Sequence, residues 1–92
     1  MALSGFSKTL KITNEKGLHA RAAAAFVRTA DSFDAKIAVK KDDQTVSGHS
    51  IMGLMMLGAA CDCEIEVICS GKDAEKALNA LEKLVNDKFN EN

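Results

Sequence analysis

A histidine and an arginine two positions apart, set behind a glycine, are the residues of this chain best suited to group transfer: Gly17-Leu18-His19-Ala20-Arg21. Near neutral pH an unperturbed imidazole is largely uncharged, so one ring nitrogen offers a lone pair to an electrophile such as phosphorus. The P–N bond that results is labile, as it must be if the group is to be given away again. A guanidinium is a planar fork that can hold two phosphate oxygens at once. The apolar residues that follow, Ala23, Phe26, Val27 and Ala30, recur at helical spacing among strong helix formers. His19 is therefore expected at or beside the first turn of a helix, with Gly17 permitting the sharp bend before it. A helix start leaves about four N–H groups unpaired and carries roughly half a positive charge, which favours anions. The backbone N–H groups of Ala20 and Arg21 are then additional donors. That same dipole mildly disfavours an arginine in the first turn, which gives Arg21 a functional reason to be there. Taken on the residues alone, a loop or N-capping histidine without chemistry remains an open alternative.

The second informative stretch is Ser50-Ile51-Met52-Gly53-Leu54-Met55-Met56-Leu57-Gly58. Ser50 is a good N-cap, and Gly58 can take the left-handed geometry that stops a helix, so a short helix is expected over 51–57. Leu54 and Leu57 fit its core-facing stripe, which leaves Ile51, Met52 and Met55 directed outward. Methionine is flexible and polarisable, suited to a surface that must fit several partners in turn. With Ala20, Arg21 and Ala24 these residues form a candidate docking surface beside His19; the bland alternative is core on a thin domain. His49 lacks a following arginine and a helix-start pattern and reads as a loop residue. The odd number of cysteines, Cys61, Cys63 and Cys69, cannot all pair within one chain. No histidine or fourth cysteine follows at a zinc-like interval, so free thiols are expected and no metal site.

The elements that must position these residues follow from periodicity. Residues 6–12 alternate apolar and polar as a half-buried strand does. A polar loop, 13–17, leads to His19 and a helix over about 20–30. Residues 35–40 and 44–47 pair as a hairpin around the charged turn Lys41-Asp42-Asp43. After the short helix, residues 64–69 alternate again, with Ile65, Val67 and Cys69 facing inward. The last helix begins near Asp73, whose carboxylate suits the positive end of the dipole. It carries one apolar stripe, Ala74, Ala77, Leu78, Leu81, Leu84 and Val85, that packs on the sheet. The order β-α-β-β-α-β-α, with three helices over one face of four strands, is an α+β open-faced β-sandwich.

These motifs resemble the HPr family, the histidine-containing phosphocarriers of the bacterial phosphotransferase system. Gly17-Leu18-His19-Ala20-Arg21 is similar to the family's phosphoacceptor signature, and the block from Ser50 to Gly58 to its regulatory-serine helix. The likeness runs through Gly71 into the last helix, so it covers nearly all of residues 1–92, expected to be one domain. It implies a four-stranded antiparallel sheet with the first and last strands central. It implies that the δ nitrogen of His19 takes a phosphoryl group from enzyme I and yields it to an enzyme II A-type domain. It also implies control at Ser50 by HPr kinase/phosphorylase where that enzyme exists. Ala22 departs from the pattern, since proline is frequent there; alanine keeps helix propensity and adds an N–H while giving up some rigidity. Ile12-Thr13-Asn14, Phe33-Asp34-Ala35 and the ending Lys88-Phe89-Asn90-Glu91 look like the nitrogen-related branch, often called NPr. The Ser50 helix is closer to the sugar branch.

Composition limits the alternatives. A formal net charge of −1 argues against a general nucleic-acid binder. No apolar run is long enough to span a bilayer, and the residues from Met1 to Gly5 lack the regions of a signal peptide, so a cytoplasmic, monomeric protein without cofactor is expected. The rival from another class is a small ferredoxin-like regulatory module that binds a metabolite or metal through its sheet and thiols.

Overall fold

The structure, a computed structural model, describes residues 5–91. Its elements are β1 (Gly5–Lys11), α1 (Ala20–Asp31), β2 (Lys36–Lys41), β3 (Gln44–Ser47), α2 (Ile51–Met56), β4 (Glu64–Ser70) and α3 (Ala74–Asn86). A left-handed turn, Lys88–Asn90, follows α3. The strands form one antiparallel sheet in the order β1-β4-β2-β3. The expected α+β class and element order hold, but one expectation is corrected: β4 is central and β1 is not. β1 pairs only with β4, and of its residues only Leu10 is buried.

Alternation explains the register. Val67 of β4 stands opposite both Lys8 of β1 and Val39 of β2, and Val39 stands opposite Val46 of β3, so one row of side chains crosses the sheet on its helix-covered face. Lys8 is tolerated in that row because it lies at the sheet edge and bonds Glu82 of α3 at 2.6 Å. α1 contributes Ala22, Ala23, Phe26 and Ala30 to the core, and α3 contributes Ala74, Ala77, Leu78, Leu81 and Val85. They meet Ile37, Val39, Ile65 and Val67 from the strands and Leu54 and Leu57 from the α2 region. Burying each large apolar side chain contributes roughly 1.5–3 kcal/mol. Leu84, expected in the α3 stripe, is half-buried at its margin. Asp73 precedes α3, but its side chain makes no cap bond to that helix. It accepts the Asp34 N–H at 2.9 Å instead and ties the α1–β2 loop to the α3 start.

The loop that aims His19 is fixed from below. Ile12 exchanges backbone bonds with the segment leading into β4, donating to Cys63 O at 2.8 Å and accepting from Asp62 N at 2.6 Å. Leu18 N donates to Ala59 O at 2.9 Å. Between them Gly17 has φ +65°, and a Cβ there would run into the Ala59 carbonyl and lie 2.8 Å from the Ala60 Cα. Gly58 also has a positive φ, +64°, yet a Cβ there meets nothing within 4 Å. The pair separates two effects that glycine usually combines. Gly58→Ala should cost about 1 kcal/mol, the penalty of the left-handed backbone alone. Gly17→Ala should cost about 3 kcal/mol or more, because strain and backbone overlap add. Urea unfolding of both variants checks this, and equal losses would contradict it.

Candidate functional site

His19 is the N-cap of α1, with extended backbone (φ −79°, ψ −178°) and no side-chain cap bond among the described residues. The first intrahelical bond runs from Ala23 N to His19 O at 2.8 Å. The N–H groups of Ala20, Arg21 and Ala22 therefore precede the bonded ladder. The ring is not occupied with capping its own helix. Its Nε2 lies 2.7 Å from Oε2 of Glu91. A carboxylate can only accept, so Nε2 is the donor, and in the neutral ring Nδ1 then keeps the lone pair. His19, Arg21, Glu15, Lys16, Asn90 and Glu91 line a hollow of about 290 Å³. Arg21 is exposed, and its guanidinium makes no ion pair among the described residues. The structure thus brings together the two residues singled out for group transfer and leaves open space beside them.

Glu91 and Asn14 were missed as site residues. Asn14 is fully buried and donates through Nδ2 both to Gly17 O at 2.8 Å and to Oε1 of Glu91 at 3.0 Å. Its Oδ1 has no partner among the described residues. A buried, half-satisfied amide is costly, so Asn14 is kept for its two donated bonds. One signal in the sequence could have found this pair: Phe89 in an otherwise polar tail marks a chain end that docks on the core, and Phe89 is buried. Burial by itself would raise the Glu91 carboxyl. The hydrogen bonds from His19 and Asn14, and the charges of His19 and Arg21, outweigh it and hold the group below the ordinary 4.5.

The second stretch is organised as expected, with small corrections. Ser50 caps α2, its Oγ accepting Gly53 N–H at 2.9 Å. The helix ends at Met56, with Leu57 as its C-cap, one residue short of the expected end. Leu54 and Leu57 are buried, while Ile51, Met52 and Met55 are exposed by 40%, 67% and 39%. Met56, not singled out before, is exposed by 72% and extends the apolar patch. Ala20 and Arg21 are exposed and Ala24 half-buried on α1, which packs beside α2. His49, read as a plain loop residue, has a partner: its Nδ1 lies 2.7 Å from Asp31 at the end of α1. The cysteines are all free. Cys61 and Cys63 do not lie in an extended segment; they flank Asp62, whose φ of 75° makes a turn. Cys69 is buried in the core, which pushes its thiol up to about 11.

A partly exposed ring at a helix start, lining a hollow that also holds a guanidinium, suits the transient holding of an anionic group. Comparison with known proteins agrees. A family model described as the PTS HPr component phosphorylation site matches residues 6–87. The phosphocarrier protein HPr of Treponema pallidum is 43% identical over 84 residues, covering 91% of this chain and 96% of that protein. The phosphocarrier protein NPr of Shewanella violacea is 36% identical over 89 residues, 97% of this chain and 98% of that one. Among solved structures, HPr-C-His from Thermoanaerobacter tengcongensis superposes with a TM-score of 0.91 at 42% identity, covering 95% of this chain and 98% of that one. An HPr dimer from the same organism superposes with a TM-score of 0.76 at 44% identity, covering 89% and 94%. The chain belongs to the HPr family, the phosphocarriers of the phosphotransferase system. The ferredoxin-like regulatory module is not favoured.

The lowered Glu91 carboxyl gives a pH dependence of stability. A carboxyl depressed by folding stabilises the native state above its unfolded value and loses that contribution as pH falls through the folded one. The stability advantage of wild type over Glu91→Gln should shrink on acidification below about 4.5. Paired urea titrations across this range measure it; a gap that widens on acidification would have the wrong sign.

Proposed function

We propose that His19 is the phosphoryl acceptor of this phosphocarrier, charged by enzyme I at the expense of phosphoenolpyruvate and discharged to a histidine on an enzyme II A-type domain. The observation that carries this reading is the hydrogen bond from Nε2 to Glu91, because it leaves Nδ1 as the nucleophile at the open start of α1. In the transfer the Nδ1 lone pair bonds phosphorus while the bond between phosphorus and its donor breaks. The donor recovers that electron pair. Arg21 and the N–H groups of Ala20 and Arg21 hold the phosphoryl oxygens, whose charge the helix start favours. Nothing is turned over independently: the protein is a transfer intermediate, and each charge must be discharged to a partner before the next.

Both partners must dock, react and part, which favours a small interface with an adaptable apolar centre. Ile51, Met52 and Met55, extended by Met56, together with Ala20, Arg21 and Ala24, supply that surface. Within this reading residues 1–92 act as one domain in the cytoplasm, monomeric during transfer and without cofactor. Among the described residues no helix is long and apolar enough to cross a membrane. Ser50 keeps its capping role and is in addition a candidate target of HPr kinase/phosphorylase.

Incubation with enzyme I and phosphoenolpyruvate should add one phosphate per chain, lost in acid and absent from His19→Ala, as read by intact mass. Arg21→Ala should remain phosphorylatable but slow transfer by roughly 10- to 100-fold, the loss of one or two charge-assisted hydrogen bonds at about 1.5–3 kcal/mol. An acid-stable phosphate, or one retained in His19→Ala, would refute the assignment.

At Ser50 the expected mechanism is electrostatic. Aspartate is a good N-cap and an anion suits a helix start, so Ser50→Asp should fold with little change in circular dichroism or melting temperature. The added charge beside the apolar patch should oppose an acidic partner and slow charging by enzyme I about tenfold, or about 1.4 kcal/mol. Equal charging rates for wild type and variant would count against control at this position.

A further inference from the structure

Cys61 and Cys63 lie inside the pair of loops whose backbone bonds aim His19. The segment Ala60-Cys61-Asp62-Cys63 is a tight turn, closed by Cys63 N–H donating to Ala60 O at 3.0 Å. Between the two cysteines Asp62 has φ 75°, a left-handed value that residues other than glycine keep only where the surroundings hold them. Ile12 supplies the hold: Asp62 N–H donates to Ile12 O at 2.6 Å, and Ile12 N–H donates to Cys63 O at 2.8 Å. Just before the turn, Ala59 O accepts Leu18 N–H at 2.9 Å, next to His19 itself. The turn also changes what the thiols can do. A disulfide needs Cα atoms roughly 4.4–6.8 Å apart. Alternate residues of an extended chain stand about 6.6–7.2 Å apart, at or beyond that limit, whereas folding the chain back at Asp62 shortens the span. Cys61 is exposed and Cys63 half-buried, so a small molecule can reach both, while Cys69 is shut in the core. The two sulfurs have separate contacts in the reduced protein. Cys61 Sγ lies 3.8 Å from Thr13 O, and Cys63 packs at the margin of the core and lines an open hollow of about 610 Å³. A bond between them must draw both away from those contacts, and the turn must follow.

We infer that Cys61 and Cys63 are a thiol–disulfide switch on phosphoryl transfer: a small-molecule disulfide of the glutathione kind oxidises the pair, and the ring so closed distorts the turn that holds Ile12 and Leu18 and, through them, the loop carrying His19. Its effect on transfer rests on His19 being the acceptor; its chemistry does not. The exposed Cys61 reacts first. Its thiolate attacks one sulfur of the small disulfide and bonds to it, and the other half leaves with the electron pair as a thiolate. The Cys63 thiolate then attacks the Cys61 sulfur, and the second half leaves in the same way. The protein has lost two electrons and two protons, the small disulfide has become two thiols, and excess thiol drives the same steps backward. A small ring across a turn already holding a left-handed aspartate is strained, and strained, exposed disulfides are the readily reduced ones. That suits a reversible signal rather than a structural staple.

The test begins with the reduced wild type incubated with glutathione disulfide, quenched in acid and alkylated after denaturation. By intact mass the main product should have lost two hydrogens, kept no glutathione and taken up one alkyl group, on Cys69, where the reduced chain takes up three. Cys63→Ser, which cannot close the ring, should instead retain one glutathione on Cys61. The oxidised wild type should be charged by enzyme I roughly ten- to a hundredfold more slowly than the reduced protein, the effect of a small misplacement of the reacting group. Dithiothreitol should restore the rate. The Ile12 and Leu18 amides should exchange with solvent faster in the oxidised protein, a readout that needs no enzyme I. A wild-type product that keeps glutathione, a disulfide between two chains, or no reaction at all overturns the inference. So does a closed ring that charges at the reduced rate, or one that leaves those two amides as protected as before. Failure of the reduced wild type to take phosphate would overturn the carrier assignment instead, and the mass and the amide exchange would still decide whether the ring forms and loosens the loops.

Discussion

Backbone hydrogen bonds between two loops at one end of the sheet set the geometry on which everything else in this molecule depends. The chain leaving β1 and the chain entering β4 are joined at Ile12, Asp62, Cys63, Leu18 and Ala59, with Gly17 pressed flat against the Ala59–Ala60 backbone. Backbone-to-backbone bonds are short and largely independent of side-chain rotamers. A histidine placed by them is held more rigidly than one placed by long side chains. The cost is a strict demand at one position, since a side chain at Gly17 would part the two loops. The reward is that α1 begins at a defined point, and its start, with unpaired N–H groups and partial positive charge, falls at its own N-cap residue, His19.

That placement also explains why the capping position can carry chemistry. Most N-caps use a serine, threonine, aspartate or asparagine to satisfy the first N–H groups, as Ser50 does for α2. His19 does not, so α1 begins with donors free for an external anion. The two helix starts illustrate a division of labour. At α2 the fold stabilises itself with its cap; at α1 it forgoes about 1 kcal/mol of capping and leaves the first N–H groups open to an anion.

The sequence carried the elements, the core and the acceptor pair because each obeys a local rule. Period-2 and period-3.6 patterns marked the strands and helices; the stripe residues of α1 and α3 are buried apart from Val27 and Leu84, which are half-buried, and Ala22 is buried on α1 without having been read there. What it did not carry is non-local. Strand order depends on which edges meet in space, and β1 alternates no differently at an edge than it would in the centre, so periodicity could not place it; the central place drawn from the family resemblance is the one the structure corrects. The partnership of Asn14 and Glu91 spans 77 positions and requires a run of left-handed backbone at residues that usually avoid it. No propensity encodes that; only Phe89, stranded in a polar tail, hints that the chain end returns to the core. The Asp73 carboxylate, read only as a favourable charge at the start of α3, also accepts the Asp34 amide across two loops, a non-local bond no local pattern announces.

A carrier has to satisfy a condition that an enzyme does not. If the phosphorylated state is stabilised too well, the group is never given up; too poorly, and it is lost to water. The charges around His19 are arranged on both sides of that balance. In the proposed reading Arg21 and the start of α1 attract the phosphoryl oxygens, and Lys16 lines the same hollow. Glu15 and Glu91 line it as well and oppose an anion there, so the site can hold a phosphoryl group without becoming a trap. In the same reading the apolar patch of α2 meets this condition by other means: flexible methionines give contact area without a fixed lock, so successive partners can associate and part.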